Sequence, residues 1–137
     1  DMEDMWLYLH LVFEIVWEYR FLYRDLDNIL GRNKKLRTHF RRILERKVST
    51  AATICTGLKD AGIMDATAEE IAALARNIAV VATYWLNFQS IRASGAQQGG
   101  DSDNLALGFY QVLSLVAPFL RGEARQLLQK LSRDYLA

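Results

Sequence analysis

The sequence predicts an all-α fold, a helical bundle of about six helices in one domain. Breakers are few, with eight glycines and one proline in 137 residues. Long stretches between them carry apolar residues at helical spacing, and no run alternates as a half-buried strand would. A chain of this length can bury a core of ordinary size without disulfides or metals. Its hydrophobic fraction of 51% and charged fraction of 24% exclude a disordered polymer. A net charge of +1 excludes a chain that is polybasic throughout.

The first helix is expected over Met2 to Tyr19. Met2, Met5, Trp6, Leu9, Val12, Phe13, Val16 and Trp17 fall in one arc at 100° per residue. Leu7, Leu11 and Ile15 lie outside that arc, so the helix is expected to be central, packed on more than one side. A short helix follows over Phe21 to Leu30, with Gly31 as its C-cap. The third, capped by Asn33, runs from Lys34 to Lys59 with a stripe of Leu36, Phe40, Ile43, Leu44, Ala51, Ile54 and Leu58, and Gly62 ends it.

Thr67-Ala68-Glu69-Glu70 is a capping box that opens the fourth helix, which ends near Arg92. Its stripe is Ile71, Leu74, Ile78, Val81, Trp85 and Phe88. Residues 93–104 read as a mobile loop of Gly, Ser, Gln and Asp. The fifth helix spans Asp103 to Ala117, and Pro118 stops it. The sixth spans Glu123 to Tyr135, with Ala124, Leu127, Leu128, Leu131 and Tyr135 on one side. The longest charge-free run, Asn104 to Leu120, is too short and too polar to span a bilayer, so no membrane partner is expected. The acidic opening Asp1-Met2-Glu3-Asp4 is unlike a secretory signal, and the missing initiator methionine points to a processed, excised or longer protein.

Charge is uneven. Residues 1–19 carry five acids and no Lys or Arg, whereas residues 32–47 carry eight Lys and Arg against Glu45. That basic stretch is either a phosphate-contacting face or a solvated face that offsets the acidic first helix. Lys47 sits within its helix's apolar arc, as an anion-binding group or a snorkelling lysine. His10 and Glu14, four apart, make a structural pair or half a metal site, and no third ligand is in register. The lone Cys55 excludes an internal disulfide and reads as a packed thiol. No acid–base set, phosphate loop or nucleophile elbow is present, so neither an enzyme nor a cofactor is expected.

Two aromatic groups stand out. Trp17, Tyr19, Phe21 and Tyr23 crowd the first helix junction, with Phe13 one turn back; Tyr84, Trp85 and Phe88 form the second. Gln89 and Asn77 intrude on the apolar side of the fourth helix. The pattern is either an aromatic core with satisfied amides or a cavity with polar groups that orient a ligand. On the cavity reading, Phe13, Trp17, Phe21, Ile54, Trp85, Phe88 and Gln89 border one space.

Several segments in order resemble the regulatory domain of the tetracycline-repressor-type (TetR) family of transcriptional regulators. They are Trp17-Glu18-Tyr19-Arg20-Phe21-Leu22-Tyr23-Arg24-Asp25-Leu26, the Asn33-Lys34-Lys35-Leu36 helix start, Gly57-Leu58-Lys59-Asp60-Ala61-Gly62-Ile63, Tyr84-Trp85-Leu86 after the Thr67 box, and Val116-Ala117-Pro118-Phe119-Leu120. The resemblance covers nearly the whole chain but leaves out the three-helix DNA-binding unit with which family members begin. It implies a cytoplasmic bacterial regulator, a small and mostly apolar effector bound among helices one to four, and DNA reached only through a unit this chain lacks. It also implies a homodimer in which the last two helices of each copy form a four-helix bundle. The fifth helix has a second arc beside its inward one, Ala106, Tyr110 and Ala117 with Leu113 at the boundary; with Ala124, Leu128, Leu131 and Tyr135 it is the expected dimer face. The rival reading is a helical interaction protein that binds no ligand.

Overall fold

Local chemistry sets most helix ends. A computed structural model describes the backbone of residues 2–92 and 101–136, and the side chains of residues 2–92 and 105–133. Those residues form seven α-helices: α1 Met2–Glu18, α2 Arg20–Arg24, α3 Leu26–Arg32, α4 Lys34–Asp60, α5 Ala68–Arg92, α6 Asp101–Val116 and α7 Gly122–Leu136, with a 3-10 turn at Ala117–Phe119. No strand is present among them. Asn33 Oδ1 accepts from the Leu36 N–H at 3.0 Å and so starts α4. Gly62, at φ +76°, ends the turn after α4, in a region that penalises any side chain. The capping box closes reciprocally, the Glu70 N–H donating to Thr67 Oγ1 at 3.1 Å and the Thr67 N–H to Glu70 Oε1 at 2.9 Å.

Four expectations change. The short second helix is two helices, broken at Asp25, whose φ of −113° and ψ of 29° leave the helical region. Gly31 is not a C-cap but lies inside α3, and the extended backbone of Asn33 makes the break instead. The outer face of α1 is open: Leu7, Leu11 and Ile15 are 58%, 49% and 43% exposed, so α1 packs on one side only. Of the loop expected over 93–104, residues 93–100 lie outside the described residues and 101–104 belong to α6.

The core is one cluster drawn from all seven helices. The α1 arc is inward as expected, with Met5, Leu9, Val12, Phe13 and Val16 buried. On α5 the buried face runs Ile71, Leu74, Ala75, Ile78, Ala82, Thr83 and Leu86, so it turns away from the expected Trp85 and Phe88 in its second half. By length and composition α5 could cross a membrane, but here it packs as a core helix against α4, α6 and α2. The α5–α6 crossing is close because residue 108 is glycine: a Cβ there would stand 2.5 Å from Cδ1 of Trp85. A backbone clasp then ties the α4–α5 link to the α6–α7 link. The Asp65 N–H donates to the Phe119 carbonyl at 2.7 Å and the Arg121 N–H to the Ile63 carbonyl at 2.9 Å.

Lys47 is held where α1, α2 and α4 meet. Its Nζ donates to Tyr23 Oη at 3.3 Å, and Tyr8 Oη donates to the Lys47 carbonyl at 2.8 Å. Tyr23 is buried, with its ring 5.8 Å from Phe40. Burial pushes the Lys47 pKa below the ordinary lysine range and that of Tyr23 above the ordinary phenol range. The ammonium is thus held by a phenol hydroxyl at the helix junction.

Two predictions follow from these contacts. Gly108→Ala should lower stability by roughly 1–3 kcal/mol, since overpacking at Trp85 outweighs the better helix propensity of alanine; a urea midpoint measures it. The Lys47→Met, Tyr23→Phe double variant removes a penalised charge together with its partner. A lysine pKa lowered in the fold costs stability below that pKa, and the cost fades as pH rises toward the unfolded value. The variant should melt above the parent at pH about 7, with the gap narrowing by about pH 10.

Candidate functional site

The seven residues expected around one cavity do not share one groove. Phe13 and Trp17, four apart on α1, line a groove against α6 of about 270 Å³. Its other walls are His10, Glu14, Leu105, Ala106 and Phe109. Trp17 is covered on its far face by Arg20, whose guanidinium lies 4.3 Å from the ring centre. Phe21 is 70% exposed on α2, beneath Arg20 at 5.0 Å and Arg24 at 5.9 Å. Phe88 is 51% exposed, packed on the half-buried Trp85 at 5.7 Å and covered by Arg92 at 5.5 Å. Gln89 accepts from Arg92 Nη1 at 3.4 Å, and Ile54 packs on the core from α4.

The sequence reading missed the part of the groove that α6 supplies. Phe109 lies at its centre, 4.8 Å from His10, 5.1 Å from Trp6 and 5.6 Å from Phe13 between ring centres. No sequence spacing shows its neighbours on α1. Beyond this ring cluster lies a second apolar groove of about 550 Å³, where Met2, Met5 and Trp6 of α1 face Leu113, Leu128 and Leu131. The cluster is thus the wall between two grooves. His10 serves here as an aromatic ring, and no group of three metal-binding side chains exists among the described residues. Cys55 is fully buried, and burial pushes its thiol up to about 11, too high for a nucleophile near neutrality.

The polar groups also fall differently. Asn77 is exposed. The amide at the α2–α5 contact is Asn87, whose Nδ2 donates to the Arg24 carbonyl at 3.3 Å while its buried Oδ1 has no hydrogen-bond partner among the described residues.

The expected dimer residues spread over several surfaces. Tyr110, Leu113, Ala117 and Leu128 line a groove between α6 and α7 of about 560 Å³, together with Arg125 and Gln129. Leu113 and Leu128, each 1% exposed, form its floor and belong to the subunit's own core. Ala106 lines the α1–α6 groove instead, Leu131 the groove at Met2, and Ala124 a groove beside Gly62 and Arg121. The Tyr135 side chain lies outside the described residues.

Comparison with known proteins places this architecture. The family described as "TetR: Bacterial transcriptional repressor" matches residues 1–128. The crystal structure of a TetR-family transcriptional regulator from Marinobacter aquaeolei VT8 is similar over 98% of this chain, at 32% identity and a TM-score of 0.81. This chain spans 63% of the length of that one. No curated protein matches. An all-helical arrangement that matches a family over residues 1–128, and a solved member over nearly its whole length, leaves one assignment: the chain belongs to the TetR family of transcriptional regulators.

Proposed function

We propose that this chain is the effector-sensing and dimerising part of a TetR-family repressor, and that a small, mostly apolar effector binds in the α1–α6 groove. The observation that carries the reading is the groove itself. Phe13, Trp17, Leu105 and Phe109 give it apolar walls, while His10 and Glu14 on the same wall of α1 can orient a ligand. An effector seated there stands between α1 and α6, the helices whose rings meet at Phe109. It stabilises whichever α1 orientation leaves the wider groove, and so shifts the population of α1 positions. In a full-length regulator, α1 orientation would set the spacing of two DNA-reading units on a two-fold site. The residues that support this reading are Phe13 and Trp17 of the original seven; Phe21, Ile54, Trp85, Phe88 and Gln89 fall outside the proposed site.

The proposed dimer uses the α6–α7 face. Tyr110 and Ala117 are half-buried there around a floor of buried leucines, and a two-fold contact matches that patch to itself. A reading without ligand, in which the chain only pairs with partners, is favoured by one observation: Phe21 and Phe88 lie on the surface under arginines rather than around a cavity.

Ala106→Phe should fill the effector groove. Binding of the apolar dye 1-anilinonaphthalene-8-sulfonate, followed by Trp fluorescence, should weaken at least about tenfold, the loss of ~1.4 kcal/mol. Unchanged binding would move the site elsewhere. Tyr110→Arg should convert a sedimenting dimer to a folded monomer. Leu128→Ala should instead destabilise the subunit by about 2–5 kcal/mol, because Leu128 is core before it is interface.

A further inference from the structure

The basic stretch of α4 is left unexplained by an effector site or a dimer face. Lys34, Lys35, Arg37, Arg41, Arg42 and Arg46 are all exposed. At 100° per residue Lys34, Lys35, Arg42 and Arg46 fall on the side of α4 away from the buried Phe40, Ala51, Cys55 and Leu58, with Arg37 and Arg41 at its border. Glu45 is the one acid among them. Among the described residues none of the six has a carboxylate partner, so the acidic first helix does not neutralise them. The six cations span about 18 Å of helix at 1.5 Å per residue.

We propose that this face of α4 is a sequence-independent contact for the phosphate backbone of double-stranded DNA, separate from any base-reading unit and independent of the effector site. Three features select that partner. Cations strung along a helix match a polymer that carries one charge per roughly 1.7 Å of its axis. Four of the six are arginines, which bind phosphate oxygens bidentately. Between residues 34 and 46 this side of α4 carries no apolar side chain, whereas a helix that docks on a bilayer buries an apolar face in the lipid boundary; α4 spends its apolar face on the protein core. No side chain on this face is placed to read base edges in a groove, so affinity without sequence preference is the expected outcome.

The test compares two triple variants of the 137-residue chain that lose the same charge. One is Lys35→Gln, Arg41→Gln, Arg42→Gln; the other is Arg76→Gln, Arg92→Gln, Lys130→Gln, all exposed and on helices other than α4. Binding to a labelled 20-base-pair duplex of arbitrary sequence is followed by anisotropy from about 50 to 200 mM salt. The parent should bind more weakly as salt rises and equally to unrelated sequences. The α4 triple should lose at least about tenfold at low salt, and its log–log salt slope should fall by about 2–3. The second triple should keep nearly the parent affinity, and both should keep the parent melting temperature. Equal losses in the two triples, or no salt-sensitive binding, would overturn the proposal. Tighter binding to phosphatidylglycerol vesicles than to the duplex would also overturn it, in favour of a lipid surface. So would salt-sensitive self-association without DNA binding, in favour of the acidic α1 of a second copy.

Discussion

Phe109 joins the two halves of this molecule. Its ring receives Trp6, His10 and Phe13 from three successive turns of α1, at 5.1, 4.8 and 5.6 Å between ring centres. Edge and tilted aromatic contacts at these separations add perhaps 0.5–1.5 kcal/mol each beyond the area they bury. The outer face of α1 carries only exposed residues, so α1 depends on its inner seams with α6, α4 and α5. α6 is placed in turn by α5 through the Gly108–Trp85 approach. The α1–α6 seam is therefore held by a few aromatic contacts, while the α4–α5 pair beside it is held by long apolar stripes and a capping box.

That asymmetry suits a sensor. A groove beside a seam made of a few rings can open with local ring rotations, whereas a groove between long interlocked helices cannot open without breaking a core. The Trp6–His10–Phe109 cluster stands between two apolar grooves, Trp6 lining the larger and His10 with Phe109 the smaller. The clasp between the 61–66 and 119–121 links ties α4–α5 to α6–α7, and α1 takes no part in it.

How much of this was legible in the sequence depends on how local the cause was. Asn33, Thr67 with Glu70, Gly62 and Pro118 act on their own backbone, so the helix ends they set could be read residue by residue. The inward arc of α1 was legible because a 3.6-residue period fixes a face. The second half of α5 was misread because Trp85 and Phe88 extend the stripe as well as Ala82 and Leu86 do. Size favoured the aromatics, but the fully buried positions are Ala82, Thr83 and Leu86, while Trp85 lies half-buried against Gly108 of α6. Leu7, Leu11 and Ile15 looked buried by composition and are exposed, since a period names a face and not what covers it. The candidate site was half legible: Phe13 and Trp17 on α1 were found, and their partners Leu105 and Phe109, more than 80 residues away, were not, because no sequence spacing tells which helices meet.

The central claim is that a TetR-family regulatory chain pairs with itself and holds a small molecule at the α1–α6 seam. Native mass spectrometry of the chain purified from its own host measures both parts together. The account predicts a dimer carrying a small apolar adduct, and loss of that adduct, with the dimer kept, in Ala106→Phe. A bare monomer, or an adduct that Ala106→Phe retains in full, would contradict it.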